Sequence, residues 1–401
     1  MEAVIQQTQQ IESKIQKKRI RIAHLQLLPL ITGVQKVTLD ILTHLNREHY
    51  EPFIICQSPG PLTEIAEKQG IQCLFINHLV RPISPYQDML ALWQLTQLLR
   101  QYQFDILHTH SSKTGLIGRI AGRLSGVPAV MHTVHGYAFP AASSQMTKTF
   151  YLMLEWIGAR FCDALICLKQ ADWEIAKQQL QMSEKRLCII PNGIDTQIYR
   201  PLTTLERQKV RQDIFDIGED VSVIAMIGRL WEQKNPLCFV KAADKILKKG
   251  YKTKFFLIGD GELREELDIE IKRLKQSDNI IILGWRDDVP SLLGAIDILA
   301  LPSRWEGLPL TILEALSCGV PVVASDIPGN RDAISEGSDG LLAIDNDADS
   351  LADQIERLLK NSRLRKSYGE AGREKIIQKF QLDGSIKKIV KLYNQLVQKQ
   401  N

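Results

Sequence analysis

Two glutamates, Glu306 and Glu314, interrupt the otherwise mostly apolar stretch 303–329. On one helix their separation would span roughly 12 Å at about 1.5 Å per residue. Carboxylates that far apart cannot share a proton or flank one bond as a hydrolase pair does. They can grip two ends of an elongated ligand. Gly307 and Pro309 break regular structure, and Pro309 suits the first position of a helix. Glu306 is then in the loop before that helix, beside free N–H groups able to receive a phosphate. Glu314 lies between Leu313 and Ala315, where burial without a partner would be expensive. The plainer account makes Glu306 a helix cap and pairs Glu314 with a surface cation.

A second constellation follows an apolar run at 221–227: Gly228, Arg229, Lys234 and Pro236. Glycine at a strand end lets the backbone approach something closely. Two cations ahead of a helix start make an anion site, above all for phosphate; taken alone, the same residues are as well read as a solvated surface loop with two ordinary charges. Gly259-Asp260-Gly261 ends the next run and offers either ligand contact or a tight turn with Asp260 as local cap. It lacks a complete Gly-x-Gly-x-x-Gly, which argues against a nicotinamide dehydrogenase. In the first half, Gly33 follows a strand candidate, and His108, His110 and Ser111 end another. A His-x-His pair could bind metal, but no third ligand stands at an obvious spacing, so this loop is read as lining an acceptor. His135, followed by Gly136, ends a further apolar run. For a lone histidine, a satisfied place in the core is the default.

The elements that must position these residues alternate. Strand candidates at 20–28, 53–56, 73–76, 104–108, 129–134, 164–168 and 187–190 are separated by amphipathic stretches. After the turn signal Pro191-Asn-Gly-Ile-Asp195 the rhythm restarts, with strands at 221–227, 253–258, 279–283, 297–301 and 320–324. Such alternation predicts two α/β halves, each a parallel sheet covered by helices, with ligands beyond the carboxyl ends of the strands. The segment 148–161, which mixes aromatics and cations, is expected to be a core helix. The tail at 382–400 reads as a helix returning to the first half.

The bulk numbers fit. A chain of 401 residues suits two domains. Its net charge of +4, with the surplus in the first half, is too small to suggest a nucleic-acid binder. Seven scattered cysteines without metal spacing read as small buried residues in a reducing cytoplasm. Residues 1–19 form a polar extension without a signal-peptide core, and no apolar run is long enough to span a membrane.

Taken in order, Pro191-Asn-Gly-Ile-Asp195, Gly228-Arg229 with Lys234-Asn235, and Glu306-x7-Glu314 resemble the retaining glycosyltransferases of family 4, over about residues 20–395. The resemblance implies the GT-B architecture: two Rossmann-like parallel-sheet domains facing an interdomain cleft. The first would be an acceptor domain at 20–198. The second would be a donor domain at 199–378, followed by a terminal helix at 379–401 packing back on the first. It implies that Arg229 and Lys234 neutralise the diphosphate of a nucleotide-sugar, that Glu306 contacts the transferred sugar and that Glu314 holds the ribose. Trp285 and Arg286 would lie against the base, with Gly228, Asp260, Gly261, Gly307 and Leu308 completing the donor site. Gly33 matches one glycine of the family's first-loop pair, whose other place is taken by Thr32. His135 matches a histidine near the sugar. Retention of configuration and a uridine donor follow from the same resemblance. The expected acceptor is a glycan or polyprenyl-diphosphate-linked saccharide of a bacterial surface polymer, met by a cytoplasmic enzyme peripheral to the inner leaflet. No Asp-x-Asp stands where a metal site would need it, since 345–347 falls in a polar segment, so neither metal nor cofactor is expected. The alternatives are an epimerase or hydrolase of the same architecture, and a non-catalytic nucleotide-sugar-binding protein.

Overall fold

The computed structural model describes residues 19–137, 139 and 144–399. Residues 1–18 of the expected extension lie outside the described residues. The chain forms two compact units, one holding the described residues up to Ile190 together with those from Ile386 onward, the other Pro191–Ser385.

In the first unit seven strands alternate with helices: β1 (Ile20–Leu25), α1 (Gly33–Thr43), β2 (Tyr50–Cys56), α2 (Pro61–Lys68), β3 (Gln72–Phe75), α3 (Pro85–Tyr102), β4 (Ile106–His110), α4 (Ser112–Ser125), β5 (Ala129–Val134), α5 (Gln145–Arg160), β6 (Ala164–Cys167), α6 (Gln170–Gln178) and β7 (Leu187–Ile189). All pairings are parallel, in the order β3-β2-β1-β4-β5-β6-β7. Alternation along the strands divides the sheet's two faces. Ala23, Leu25 and Leu107 pack with Leu95 and Leu99 of α3 and Ala121 of α4. His24 pairs in register with His108, so both histidines, and His110 two residues on, point to the opposite face.

The second unit runs α7 (Thr204–Asp213), β8 (Ser222–Ile227), α8 (Pro236–Lys248), β9 (Thr253–Ile258), α9 (Arg264–Arg273), β10 (Ile280–Gly284), α10 (Val289–Ala295), β11 (Ile298–Leu301), α11 (Leu310–Ser317), β12 (Val322–Ser325), α12 (Pro328–Ala333), β13 (Gly340–Ala343), α13 (Ala348–Leu359) and α14 (Ser362–Lys379). Its parallel sheet has the order β10-β9-β8-β11-β12-β13. The last helix, α15 (Leu382–Gln398), belongs to the first unit from Ile386 onward. There Tyr50 Oη donates to Asn394 Oδ1 at 2.7 Å, and Tyr393 is fully buried.

Three sequence readings change. The seam placed at 198/199 falls inside the second unit, because Ile194 N donates to Phe380 O and Leu382 N to Ile194 O, tying that segment to the end of α14. Two of the seven cysteines, Cys73 and Cys188, are only half-buried. The segment 148–161 is not a core helix with its aromatics inside. α5 buries Glu155, Gly158 and Ala159 and leaves Phe150, Met153 and Trp156 exposed. The cause is Arg119 of α4, fully buried, whose Nη2 lies 2.9 Å from Glu155 Oε2. A removed partner would leave a buried charge uncompensated, so this pair fixes which face of α5 turns inward. Gly158 makes room, since a Cβ there would overlap the Arg119 guanidinium.

Candidate active site

Strand order reverses between β1 and β4 in the first sheet and between β8 and β11 in the second. Helices following strands on either side of a reversal lie on opposite faces, which opens a crevice beyond the strands' carboxyl ends. In the first unit Gly33 and Ser111 follow the two strands that flank the reversal, and in the second Gly228, Arg229, Lys234 and Glu306 do, while Asp260, Trp285, Arg286 and His135 follow neighbouring strands.

In the second unit, β8 runs into Gly228, Arg229 and the short 3-10 turn Glu232–Lys234, after which α8 starts at Pro236. The loop after β11 carries Glu306. Lys234 Nζ lies 2.6 Å from Glu306 Oε1, with the two side chains only 15% and 8% exposed. The loops are bound along their length: Arg304 N donates to Gln233 O at 2.8 Å, Gln233 Nε2 to Trp305 O at 2.7 Å, and Arg304 Nη1 to Glu232 Oε1 at 2.7 Å. Gln233 carried no recognisable signal. Behind the loop, Gly329 of α12 touches it so closely that a Cβ would overlap the Glu306 and Gly307 carbonyl oxygens. Leu308 is buried beside it.

Arg229 forms a two-pronged pair with Glu262, Nε to Oε2 at 3.0 Å and Nη2 to Oε1 at 2.5 Å, and its guanidinium stands 5.3 Å from the Trp231 ring centre. Glu262 also escaped the sequence reading. Of the two readings of Gly259 and Gly261, the tight turn has direct support. A Cβ on Gly259 would overlap the Gly228 carbonyl and one on Gly261 the Leu230 carbonyl, so these glycines let two loop backbones touch. Asp260 serves that turn: its Oδ1 accepts from Gly261 N at 2.8 Å, and Oδ2 faces Arg264 at 3.7 Å. Gly228 itself has φ 147° and lies against Lys234, where only glycine is relaxed. α11 begins at Leu310, one residue later than expected, with Pro309 as its N-cap, and Glu314 is buried inside it. Trp285 is exposed, and Arg286 holds Asp288 through both nitrogens at 2.8 and 2.7 Å. The polar 345–347 segment is structural, with Asn346 Oδ1 accepting from Asn235 and Asp347 capping α13.

In the first unit Gly33 opens α1 after Thr32. Ser111 sits at the N-cap of α4 with φ 63°, a sparsely populated place for serine. The third histidine that sequence spacing could not supply is His24. With His108 and His110 it forms a fully buried group whose ring nitrogens come within 4.8 Å of one another. His110 Nε2 lies 3.0 Å from His24 Nδ1, and His110 Nδ1 lies 3.0 Å from His135 Nε2. His135 is partly exposed, so it is the open end of the group. His132 faces the other way, its Nδ1 2.9 Å from Thr109 Oγ1. Burial pushes the imidazoles of His24, His108, His110 and His132 well below the usual histidine range and that of His135 down to about 4.

Residues 31–198 match the family described as Glycosyltransferase Family 4, and residues 208–375 the one described as Glycosyl transferases group 1. Over 387 residues the chain is 38% identical to UDP-Gal:alpha-D-GlcNAc-diphosphoundecaprenol alpha-1,3-galactosyltransferase of Escherichia coli, covering 94% of this chain and 98% of that protein. It is 23% identical over 365 residues to N,N'-diacetylbacillosaminyl-diphospho-undecaprenol alpha-1,3-N-acetylgalactosaminyltransferase of Campylobacter jejuni, covering 90% and 95%. The crystal structure of Anabaena HepE with UDP and glucose superposes with a TM-score of 0.82 at 20% identity, covering 94% of this chain and 100% of that one. Two parallel Rossmann-like sheets define the GT-B architecture, and the two family matches with the 38% identical relative make the chain a glycosyltransferase. The chain belongs to the family-4 glycosyltransferases.

The buried imidazoles make stability depend on pH. Unfolded histidines take up protons near pH 6.5, while the folded ones resist until about pH 4 for His135. Between these values the unfolded chain binds more protons, so stability falls as pH falls. Every tenfold difference in proton affinity between the unfolded and folded imidazole is worth about 1.4 kcal/mol, so the loss grows as pH falls across this window. Thermal unfolding at pH 7.5, 6.5 and 5.5 should show a steadily dropping midpoint. A flat midpoint would mean that these rings are charged in the native state.

Proposed function

We propose that the chain moves a sugar from a UDP-sugar to a saccharide carried on a polyprenyl diphosphate, in assembly of a bacterial surface polysaccharide, with retention of anomeric configuration and without a metal. The observation that carries this reading is the enclosed Lys234–Glu306 pair, with Arg229 on the same strand-end loop. Both cations rest on carboxylates. A diphosphate presents more negative charge than either glutamate alone and can take over Lys234 and Arg229. Glu306 is then released to accept hydrogen bonds from the sugar's hydroxyls. Glu314, eight residues on and buried in α11, would hold the ribose. The names of the two enterobacterial and Campylobacter relatives support the donor class and the lipid-linked acceptor.

The chemical problem is departure of the nucleoside diphosphate while positive charge builds on the sugar ring. The C1–O bond to phosphate breaks, and the acceptor oxygen bonds to C1 on the face just vacated. Its proton passes to the departing phosphate oxygen. Fixed cations facing the diphosphate stabilise that developing charge. Lys234→Ala therefore lowers kcat at least about a hundredfold, the scale of losing one charge stabiliser. Near-normal turnover by a folded variant would remove Lys234 from the mechanism, and release of free sugar without an added acceptor would favour the hydrolase. Because the protein supplies its own cations, EDTA leaves turnover intact. Loss that Mg²⁺ restores would overturn metal independence.

A lipid-borne acceptor requires access to a membrane surface. Among the described residues no helix is long and apolar enough to cross one. The first unit instead exposes apolar residues at helical spacing: Tyr86, Met89 and Trp93 on α3, and Met146, Phe150 and Met153 on α5. Both helices pack against α4. Arg160 lies 4.2 Å over the Trp156 ring, giving this surface a cation beside an aromatic. It has the character of an interfacial contact. The wild type should co-sediment with vesicles containing anionic phospholipid, and Met89→Ser with Trp93→Ser should weaken this while leaving transfer to a short-chain acceptor unchanged. Equal sedimentation of both proteins would exclude this surface.

A further inference from the structure

The buried histidines form a hydrogen-bonded chain that transfer as described above does not use. It starts at Thr133, whose Oγ1 lies 2.7 Å from His108 Nε2. His108 Nδ1 lies 2.7 Å from Tyr393 Oη, which lies 3.0 Å from His24 Nε2. From His24 Nδ1 the chain passes to His110 Nε2 at 3.0 Å, and from His110 Nδ1 to His135 Nε2 at 3.0 Å. Three adjacent strands supply His24, His108, His110 and Thr133 through the strand register, His135 follows the end of β5, and α15 supplies the tyrosine. His24, His108, His110 and Tyr393 have no solvent exposure, so each ring nitrogen depends on this chain for its partner.

Proton counting then decides the direction. Burial keeps the rings neutral, so each carries one N–H and one lone pair. A neutral ring that donates on one side accepts on the other, and the choice propagates. The Thr133 hydroxyl is buried, and its only partner among the described residues is His108 Nε2. If His108 donated there, the hydroxyl proton would have nowhere to go, a cost of about 1–3 kcal/mol. Thr133 therefore donates to His108, His108 to Tyr393, Tyr393 to His24, His24 to His110, and His110 to His135. All four imidazoles then carry their proton on Nδ1, although an isolated histidine side chain favours Nε2.

We infer that Tyr393 and the histidine chain fix His135 as a neutral Nδ1–H donor at the open end, and that Tyr393 is a positioning residue for that donor. Its use in sugar transfer rests on the proposed function. With Nε2 occupied by His110, His135 offers a donor, to a sugar hydroxyl or a phosphate oxygen, rather than a base. A metal held by His24, His108 and His110 is the competing use of these rings, and it would have to break contacts that already satisfy them.

The test is a two-bond proton–nitrogen correlation spectrum of the full chain carrying ¹⁵N-histidine, at pH 7.5, with the eight histidines assigned by single substitutions. His24, His108, His110 and His135 should all show the Nδ1–H pattern. An Nε2–H pattern or an imidazolium at His110 or His135 overturns the inference, as does stoichiometric zinc in the purified protein. Tyr393→Phe removes the hydroxyl between His108 and His24. His24, His110 and His135 should then leave the pure Nδ1–H pattern while His132, on the other face, keeps its own. Thr133→Val tests the same chain from its far end should Tyr393→Phe fail to fold. An unchanged His135 in both variants overturns the inference. In the transfer assay, Tyr393→Phe should lower kcat about tenfold, the value of one hydrogen bond, with donor KM held. Absence of any sugar transfer by the wild type would sink the proposed function, yet the spectra would still decide the histidine chain, because they need no substrate.

Discussion

A parallel sheet brings loops from distant parts of a sequence together only where its strand order reverses. That constraint organises both units. Next to the reversal in the first sheet, β1 and β4 lie side by side although more than 80 residues separate His24 from His108. Next to the reversal in the second, β8 and β11 bring Lys234 against Glu306 across 72 residues. Both clusters follow from topology and strand register, which fixes side-chain direction to within one residue.

The electrostatics of the second cluster follow from enclosure. A lysine only 15% exposed would be costly to hold alone, and so would a carboxylate at 8%. Each therefore needs the other in the ligand-free protein. The pairing of Arg229 with Glu262 repeats the pattern on a more exposed site, where solvent screens it and its stabilising value is correspondingly small. A site built this way is preorganised at little cost to folding, because its cations are neutralised without help. Under the function proposed above it would also be exchangeable, because the incoming diphosphate would replace an existing partner.

What the sequence revealed follows from which signals are local. Alternating β-rich and amphipathic runs, Pro236 at a helix start and Glu306 before one are local, and all were readable. The helix α14 was not, because it packs through glycines: a Cβ on Gly369 would overlap the Gly319 carbonyl, and one on Gly372 would crowd Leu316. Such a face leaves no apolar stripe to detect. The strand β13 is only Gly340–Ala343, four residues beginning with glycine, too short for a period. Glu262 and Gln233 are ordinary surface letters until the fold sets them beside Arg229 and the 304–306 loop. Gly259 and Gly261 were legible as special, but sequence cannot distinguish room for a ligand from room for another backbone, and a Cβ on either would overlap a neighbouring loop's carbonyl.

The histidines mark the sharpest limit of that legibility. His108 and His110 stood out as a pair, while His24 was an unremarkable letter in a strand. Only the β1–β4 register makes them one group, and only α15, the last helix of the chain, adds the phenol that joins them. An apolar core at these positions would need no such alternation of donors and acceptors, and burying polar rings gains nothing in stability over it. The polar version does something an apolar one cannot. It makes the protonation pattern at the rim of the sheet depend on groups buried beneath it, so the last helix and the carboxyl ends of the strands share one hydrogen-bond network.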